Sequence, residues 1–314
     1  MVSKPTVKNL TVEDLSPDVK DPEAVKLLPT TIRPQRVVLE LHDVNVAISN
    51  GIRRVLLSEY PTYYMTFDNA DFRTNNPHTL NDYTRDRIKC IPILQSTNPK
   101  TVFKLNVLNN TDIPMRVKSG NIEGLVKMKL PFNETFDIAM LDPGKFLTID
   151  KITIARTTGD QGPAVVANCA SVALDQTPID LNTGEGTPSS LSDPRVFRLS
   201  FVLNGTVDHK TLLTTACDEI IRRLETVIKS IPNIHNSEDI YYLVLPNETH
   251  TIGNIIVKGI CEQYPDIPAA TYTQNTIART CTVNIRTNED IETILVDVCK
   301  RNIKVLEELR RQFA

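Results

Sequence analysis

The stretch VLELHDVNVAISNGIRRVLLSEYP, residues 38–61, is answered 204 residues later by YLVLPNETHTIGNIIVKGICEQYP, residues 242–265. Without a gap, Val38-Leu39-Glu40-Leu41 falls on Tyr242-Leu243-Val244-Leu245, Ile48-Ser49-Asn50 on Ile252-Gly253-Asn254, and Tyr60-Pro61 on Tyr264-Pro265. A fixed offset of this kind marks a repeated structural unit. In each copy an alternating strand enters a turn, and a helix of about fifteen residues runs to the Tyr-Pro pair, where proline disfavours helical backbone at the preceding residue.

Further out, Leu213, Cys217, Ile220, Leu224, Val227 and Ile231 recur at helical spacing, as do Ile291, Leu295, Val298, Val305, Leu309 and Phe313. Both patterns predict long amphipathic helices, one closing each half of the chain. Strand-like alternation appears at Phe103, Leu105 and Val107, at Phe197, Leu199, Phe201 and Leu203, and at Cys281, Val283 and Ile285, and each such strand needs a covered face. Two copies of one strand–helix–strands–helix unit invite pairing about a pseudo-two-fold axis, with short and long helices packing across it. Periodicity alone leaves chance similarity between two strand–helix units open as the alternative.

Three breaks divide the chain. Residues 1–34 carry five prolines among alternating charges, the composition of an extended N-terminal arm. DLNTGEGTPSSLSDP, residues 180–194, reads as a loop, and PNIHNSED, residues 232–239, as the boundary between the halves. At 314 residues, with 40% hydrophobic and 23% charged side chains, the chain is long enough for two or three ordinary globular domains.

A net charge of −3 lacks the basic excess that neutralises a nucleic-acid backbone, so nucleic acid is expected only through other chains. No apolar run is long enough to span a bilayer, and no membrane partner is expected. Cys90, Cys169, Cys217, Cys261, Cys281 and Cys299 form no C-x-x-C pair and are expected to be buried, reduced thiols of an intracellular protein. The five histidines show no metal-ligand spacing, and no phosphate-binding loop or nucleophile elbow is present. No metal, cofactor or catalytic residue is therefore assigned. Cys90 or Cys261 with a distant histidine is the enzyme alternative, against which stands the leucine-like repeat position of Cys261, a position for a packed thiol. A DNA-binding regulator and a general dimerisation module are the others.

Asn50-Gly51-Ile52-Arg53-Arg54-Val55-Leu56-Leu57-Ser58-Glu59-Tyr60-Pro61 resembles the signature helix of the alpha-like subunits of multisubunit DNA-directed RNA polymerases: bacterial alpha, archaeal D and the eukaryotic third-largest subunit. Arg85-Asp86-Arg87-Ile88-Lys89-Cys90-Ile91-Pro92-Ile93 is similar to that family's H-R-L-G-L-I-P-L segment, with departures at Lys89 and Cys90, and Ala155–Val165 resembles its insert-domain loop. Asn247-Glu248-Thr249-His250-Thr251-Ile252-Gly253-Asn254 is similar to the E-D-H-T-L-G-N motif of the archaeal L subunit and its eukaryotic counterpart, the eleventh subunit.

The resemblance, which covers most of residues 36–314, implies a D/L fusion of the kind found in nucleocytoplasmic large DNA viruses. The expected fold class is α+β, with two alpha-like dimerisation units paired by pseudo-two-fold symmetry and a mainly β insert domain in the first. The expected domains are the arm 1–34, a D-like dimerisation domain 35–97 with 195–235, an insert domain 98–194 and an L-like dimerisation domain 236–314. The implied function is a non-catalytic scaffold for transcription. Its implied partners are the largest and second-largest polymerase subunits and the small zinc-bearing subunits. Its implied location is the viral factory in the cytoplasm or the host nucleus, with packaging in the virion also allowed. Arg53, Arg54 and Arg87 are the implied large-subunit contacts. Asn50, Ile52, Leu56, Leu224, His250, Thr251, Gly253, Asn254, Val298 and Leu309 are the implied dimerisation residues.

Overall fold

The computed structural model describes residues 4–15, 35–93, 97–125, 136–156, 167–174, 193–203, 205–237 and 239–314. Its helices are α1 (Val46–Arg54), α2 (Asn81–Lys89), α3 (His209–Ser230), α4 (His250–Gln263) and α5 (Ile291–Phe313). Strands and helices mix as α+β, and every strand pairing among the described residues is antiparallel.

One four-stranded sheet runs in the order Thr6–Asp14, Gln35–His42, Val196–Leu203, Ala167–Ala173; another runs His235–Ser237, Ile240–Pro246, Thr280–Arg286, Ala269–Asn275. The 204-residue offset is visible in the backbone. Helix α1 spans nine residues and continues as a five-residue π turn, Val55–Glu59, so that its helical stretch and α4 coincide end to end under the shift. Asn45 caps α1 and Thr249 caps α4, each accepting a hydrogen bond from a first-turn backbone N–H. Two residues before each cap, Asp43 and Asn247 both have φ of 59°, a left-handed turn that short polar side chains tolerate best among non-glycine residues.

The inner faces of both sheets and helices α1, α3, α4 and α5 contribute to one hydrophobic cluster, in which Leu39, Ile52 and Leu224 lie with Leu243, Ile255 and Val298. The anticipated stripes on α3 and α5 face this cluster, with Val305 partly buried against it and Asn302 and Leu306 completing the buried face of α5.

A second cluster surrounds a five-stranded sheet ordered Tyr63–Thr66, Phe146–Arg156, Val102–Leu108, Ile122–Glu123, with Phe72–Thr74 also on Phe146–Arg156. Here the expected boundaries need correction. Met65, Phe67, Ile88, Ile91 and Ile93 belong to this second core, so it begins well before residue 98. The Ala167–Ala173 strand belongs to the first sheet, so residues 167–173, within the expected insert domain, lie outside the second core. Residues 6–14 are likewise no free arm, because they form an edge strand on Gln35–His42. Pro5 and Val7 also bond the Gln312 side chain at the far end of α5. Residues 1–3 and 16–34 of the expected arm, most of the 180–194 loop and residues 157–165 lie outside the described residues.

Candidate functional site

Helices α1 and α4 cross near Gly51, where a Cβ would stand 3.1 Å from Ile255 Cδ1. Around that crossing the cap of each helix meets a carboxylate at the end of the other. Glu59, fully buried, accepts from Thr251 Oγ1 at 2.6 Å and Thr249 Oγ1 at 3.1 Å. It also accepts from Arg54 Nη2 at 3.0 Å, and from Arg223 of α3 through its second oxygen. Arg223 in turn gives two further hydrogen bonds to Glu248 from Nε, at 2.9 and 3.1 Å, and one from Nη2. On the opposite side Asn45 Nδ2 donates to Glu262 Oε2 at 3.1 Å, and Arg195 pairs with the other Glu262 oxygen at 3.2 Å.

Burial alone would push the Glu59 carboxyl up, but Arg223, the Thr251 hydroxyl and Arg54 hold it below its ordinary value. Glu248 goes the other way: burial raises it against the pull of Arg223. We read the pair as a guanidinium shared unequally, because Glu59 has threonine donors and a second arginine while Glu248 faces other carboxylates. Arg223 stays protonated despite its burial because both acids stabilise the cation.

Close packing fixes the rest. A Cβ on Gly253 would stand 2.7 Å from Cys281 Sγ and 2.8 Å from the Tyr272 ring, and one on Gly259 would stand 2.7 Å from Val298 Cγ1. Glycine is what lets α4 approach its own sheet and α5 so closely. Across the long helices, Arg310 pairs with Asp218 at 2.7 Å.

Of the residues singled out from sequence, Ile52, Leu56, Leu224, Val298 and Leu309 lie in the shared core. Thr251 is in the buried network, Gly253 is at the helix–sheet contact, and Asn254 is half-buried on α4. Asn50 accepts from Arg53 Nε at 2.9 Å. His250 is exposed at the start of α4, with Nδ1 3.3 Å from the Tyr272 hydroxyl. Arg54 points into the junction, where Thr251 Oγ1 accepts from its Nε at 2.9 Å. Arg87 stands apart on α2, donating to the Tyr83 hydroxyl at 3.1 Å and lying 5.0 Å over its ring.

Three cysteines, Cys217, Cys281 and Cys299, are buried as anticipated, and burial pushes the Cys217 and Cys299 thiols up to about 12 and Cys281 to about 11. Cys169 is half-buried, and Cys90 and Cys261 are exposed. For Cys261 the reason is positional: its repeat equivalent, Leu57, also faces outward. Among the described residues, no group of three His, Cys, Asp or Glu side chains is placed to hold a metal ion. No described helix is long and apolar enough to cross a membrane.

Sequence reading passed over Glu59, Arg223, Glu248, Asn45 and Glu262. One signal was available for Arg223, which sits three residues after Ile220 and one before Leu224 on an apolar helical face, where a cation needs a buried partner. Glu59 and Glu262 sit at the ends of their helical stretches, where a carboxylate ordinarily faces water.

Fold and junction define an α+β chain whose two ends meet in one core. No family model matches the chain. A DNA-directed RNA polymerase RPB3-11 homolog of African swine fever virus (isolate Tick/South Africa/Pretoriuskop Pr4/1996) is 30% identical over 274 residues, 76% of each protein. The homolog from isolate Tick/Malawi/Lil 20-1/1983 is 30% identical over 277 residues, again 76% of each. DNA-directed RNA polymerase subunit Rpo3 of Thermococcus kodakarensis is 27% identical over 128 residues, 38% of this chain and 48% of that protein. The chain belongs to the family of DNA-directed RNA polymerase RPB3-11 homologs, a viral transcription family.

Proposed function

We propose that this polymerase subunit is a non-catalytic assembly scaffold, whose two alpha-like halves pair within one chain about a pseudo-two-fold axis and so nucleate binding of the large catalytic subunits. The observation that carries the reading is the reciprocal capping of α1 and α4. Thr249 at the start of α4 reaches Glu59 at the end of the α1 stretch, while Asn45 at the start of α1 reaches Glu262 near the end of α4. Two antiparallel helices related by a dyad produce such a swap, and one core then covers both apolar faces.

Fusion makes the pairing intramolecular, with an effective concentration on the order of millimolar for a short connection. The connection here is the hairpin His235–Ser237 with Ile240–Pro246.

In this reading the outer surfaces serve the largest and second-largest subunits and the small zinc-bearing ones, nucleic acid is met only through the complex, and the chain works inside the infected cell. Arg53 and Arg87 are the proposed arginine contacts to the second-largest subunit. Arg54 contributes at the rim of the junction, where its side chain keeps 23% exposure.

The test is affinity capture of the tagged chain from infected cells, with mass spectrometry of what co-elutes and an Arg53→Ala, Arg87→Ala variant alongside. Recovery of both large subunits, reduced several-fold in the variant, is the expected result. Recovery without reduction discards the arginines, and absence of any polymerase subunit discards the scaffold.

A further inference from the structure

The junction buries charged groups where apolar side chains would fill the space. Arg54, Arg223 and Glu59 come from the first half; Glu248, Thr249 and Thr251 come from the second. Charge balances only across the junction, two guanidiniums against two carboxylates.

The 204-residue offset shows what a wrong partner would present. If α1 of another copy replaced α4, Val44 would stand for Glu248, Asn45 for Thr249 and Ala47 for Thr251. Glu59 would lose two hydroxyl donors, and Arg223 would lose the carboxylate that now takes three of its hydrogen bonds. Two guanidiniums would then share one carboxylate in a buried site. If instead a second α4 replaced α1, Gln263 would stand for Glu59, and the Thr249 and Thr251 hydroxyls would meet an amide in place of a carboxylate.

We propose that this network is the pairing-specificity determinant of the chain, directing the first half to the second and away from the like half of another copy. The inference rests on the intramolecular pairing proposed above. Its physical basis is that a buried ion pair adds little over a well-packed apolar contact, whereas a buried charge left without its partner is strongly unfavourable. Discrimination therefore comes from what the wrong pair leaves unmet. During synthesis at high copy number this would keep nascent first halves from assembling with one another.

The test removes the advantage of fusion. The full chain is folded and cut at a protease site placed in the turn between Ser237 and Ile240. It is then mixed with an isotope-labelled copy, and the pairs are counted by native mass spectrometry. The native sequence is expected to hold first–second pairs alone. A Glu59→Leu, Arg223→Met, Glu248→Leu variant, which leaves only the part-exposed Arg54 guanidinium without its carboxylate, is expected to stay folded yet to add first–first pairs. Exclusive first–second pairing in that folded variant would overturn the proposal. Should the triple variant lose its circular dichroism, Arg223→Met with Glu248→Leu, which keeps Glu59 beside Arg54, is read by the same criterion. Native halves that separate as unpaired chains would overturn the intramolecular pairing and this inference with it, whereas polymerase membership is decided separately by the affinity capture.

Discussion

Glu59 has no exposed surface, and its donors come from both halves of the chain. Removing one member of a buried, hydrogen-bonded ion pair costs about 3–5 kcal/mol, because the partner charge stays behind. Glu59→Gln and Arg223→Met are each expected to lower stability by that order in denaturant unfolding, while Arg53→Ala, with its partner Asn50 half-exposed, is expected to change it by less than about 0.5 kcal/mol.

The effect depends on pH in a definite direction. The Glu59 carboxyl is held below 4.5 in the folded chain, so its stabilisation is complete above 4.5 and is lost as pH falls through the folded value. Glu248, raised by burial, works with the opposite sign, but it is present in both proteins and largely cancels in the comparison. The stability gap between the native protein and Glu59→Gln should therefore narrow as pH drops below 4.5. A gap that stays constant from neutral pH to acid would contradict an ionised Glu59. Beyond the apolar setting of Arg223, little of this was legible in the sequence, since nothing in residues 38–61 shows what lies across a helix crossing.

Elements were more legible, and their failures are instructive. The two short helices and their ends followed from the 204-residue repeat closed by Tyr-Pro, the two long helices from helical spacing, and the strands at 102–108, 196–203 and 280–286 from alternation. The Thr6–Asp14 strand was missed because it is an edge strand with an exposed, charge-bearing face, the composition such strands use against aggregation and one that also reads as an arm. The second core was placed too late because α2, with Asp82, Arg85, Asp86 and Arg87, buries only Thr84 and Ile88 and shows almost no apolar stripe.

Two substitutions test the element contacts. Gly253→Ala places a methyl group inside the Cys281 and Tyr272 contacts and is expected to destabilise by about 1–3 kcal/mol. A neutral result would mean that α4 does not lie that close to its sheet. Asn45→Ala removes both a helix cap and a donor to Glu262, for an expected loss of about 1 kcal/mol or somewhat more.

At the scale of the whole molecule the repeat carried most of the information, because an offset of 204 residues brings two caps, two left-handed turns and two helical stretches into register. Which surfaces remain for other subunits is a separate matter, since an arginine on an outward face reads alike whether it meets water or a partner. The most direct test of the scaffold is reconstitution. The two large catalytic subunits of the same virus are expressed with and without this chain, and their assembly is followed by sedimentation. The expected result is a stable complex of both large subunits only when the chain is present. Equal assembly in its absence would contradict the role proposed for it.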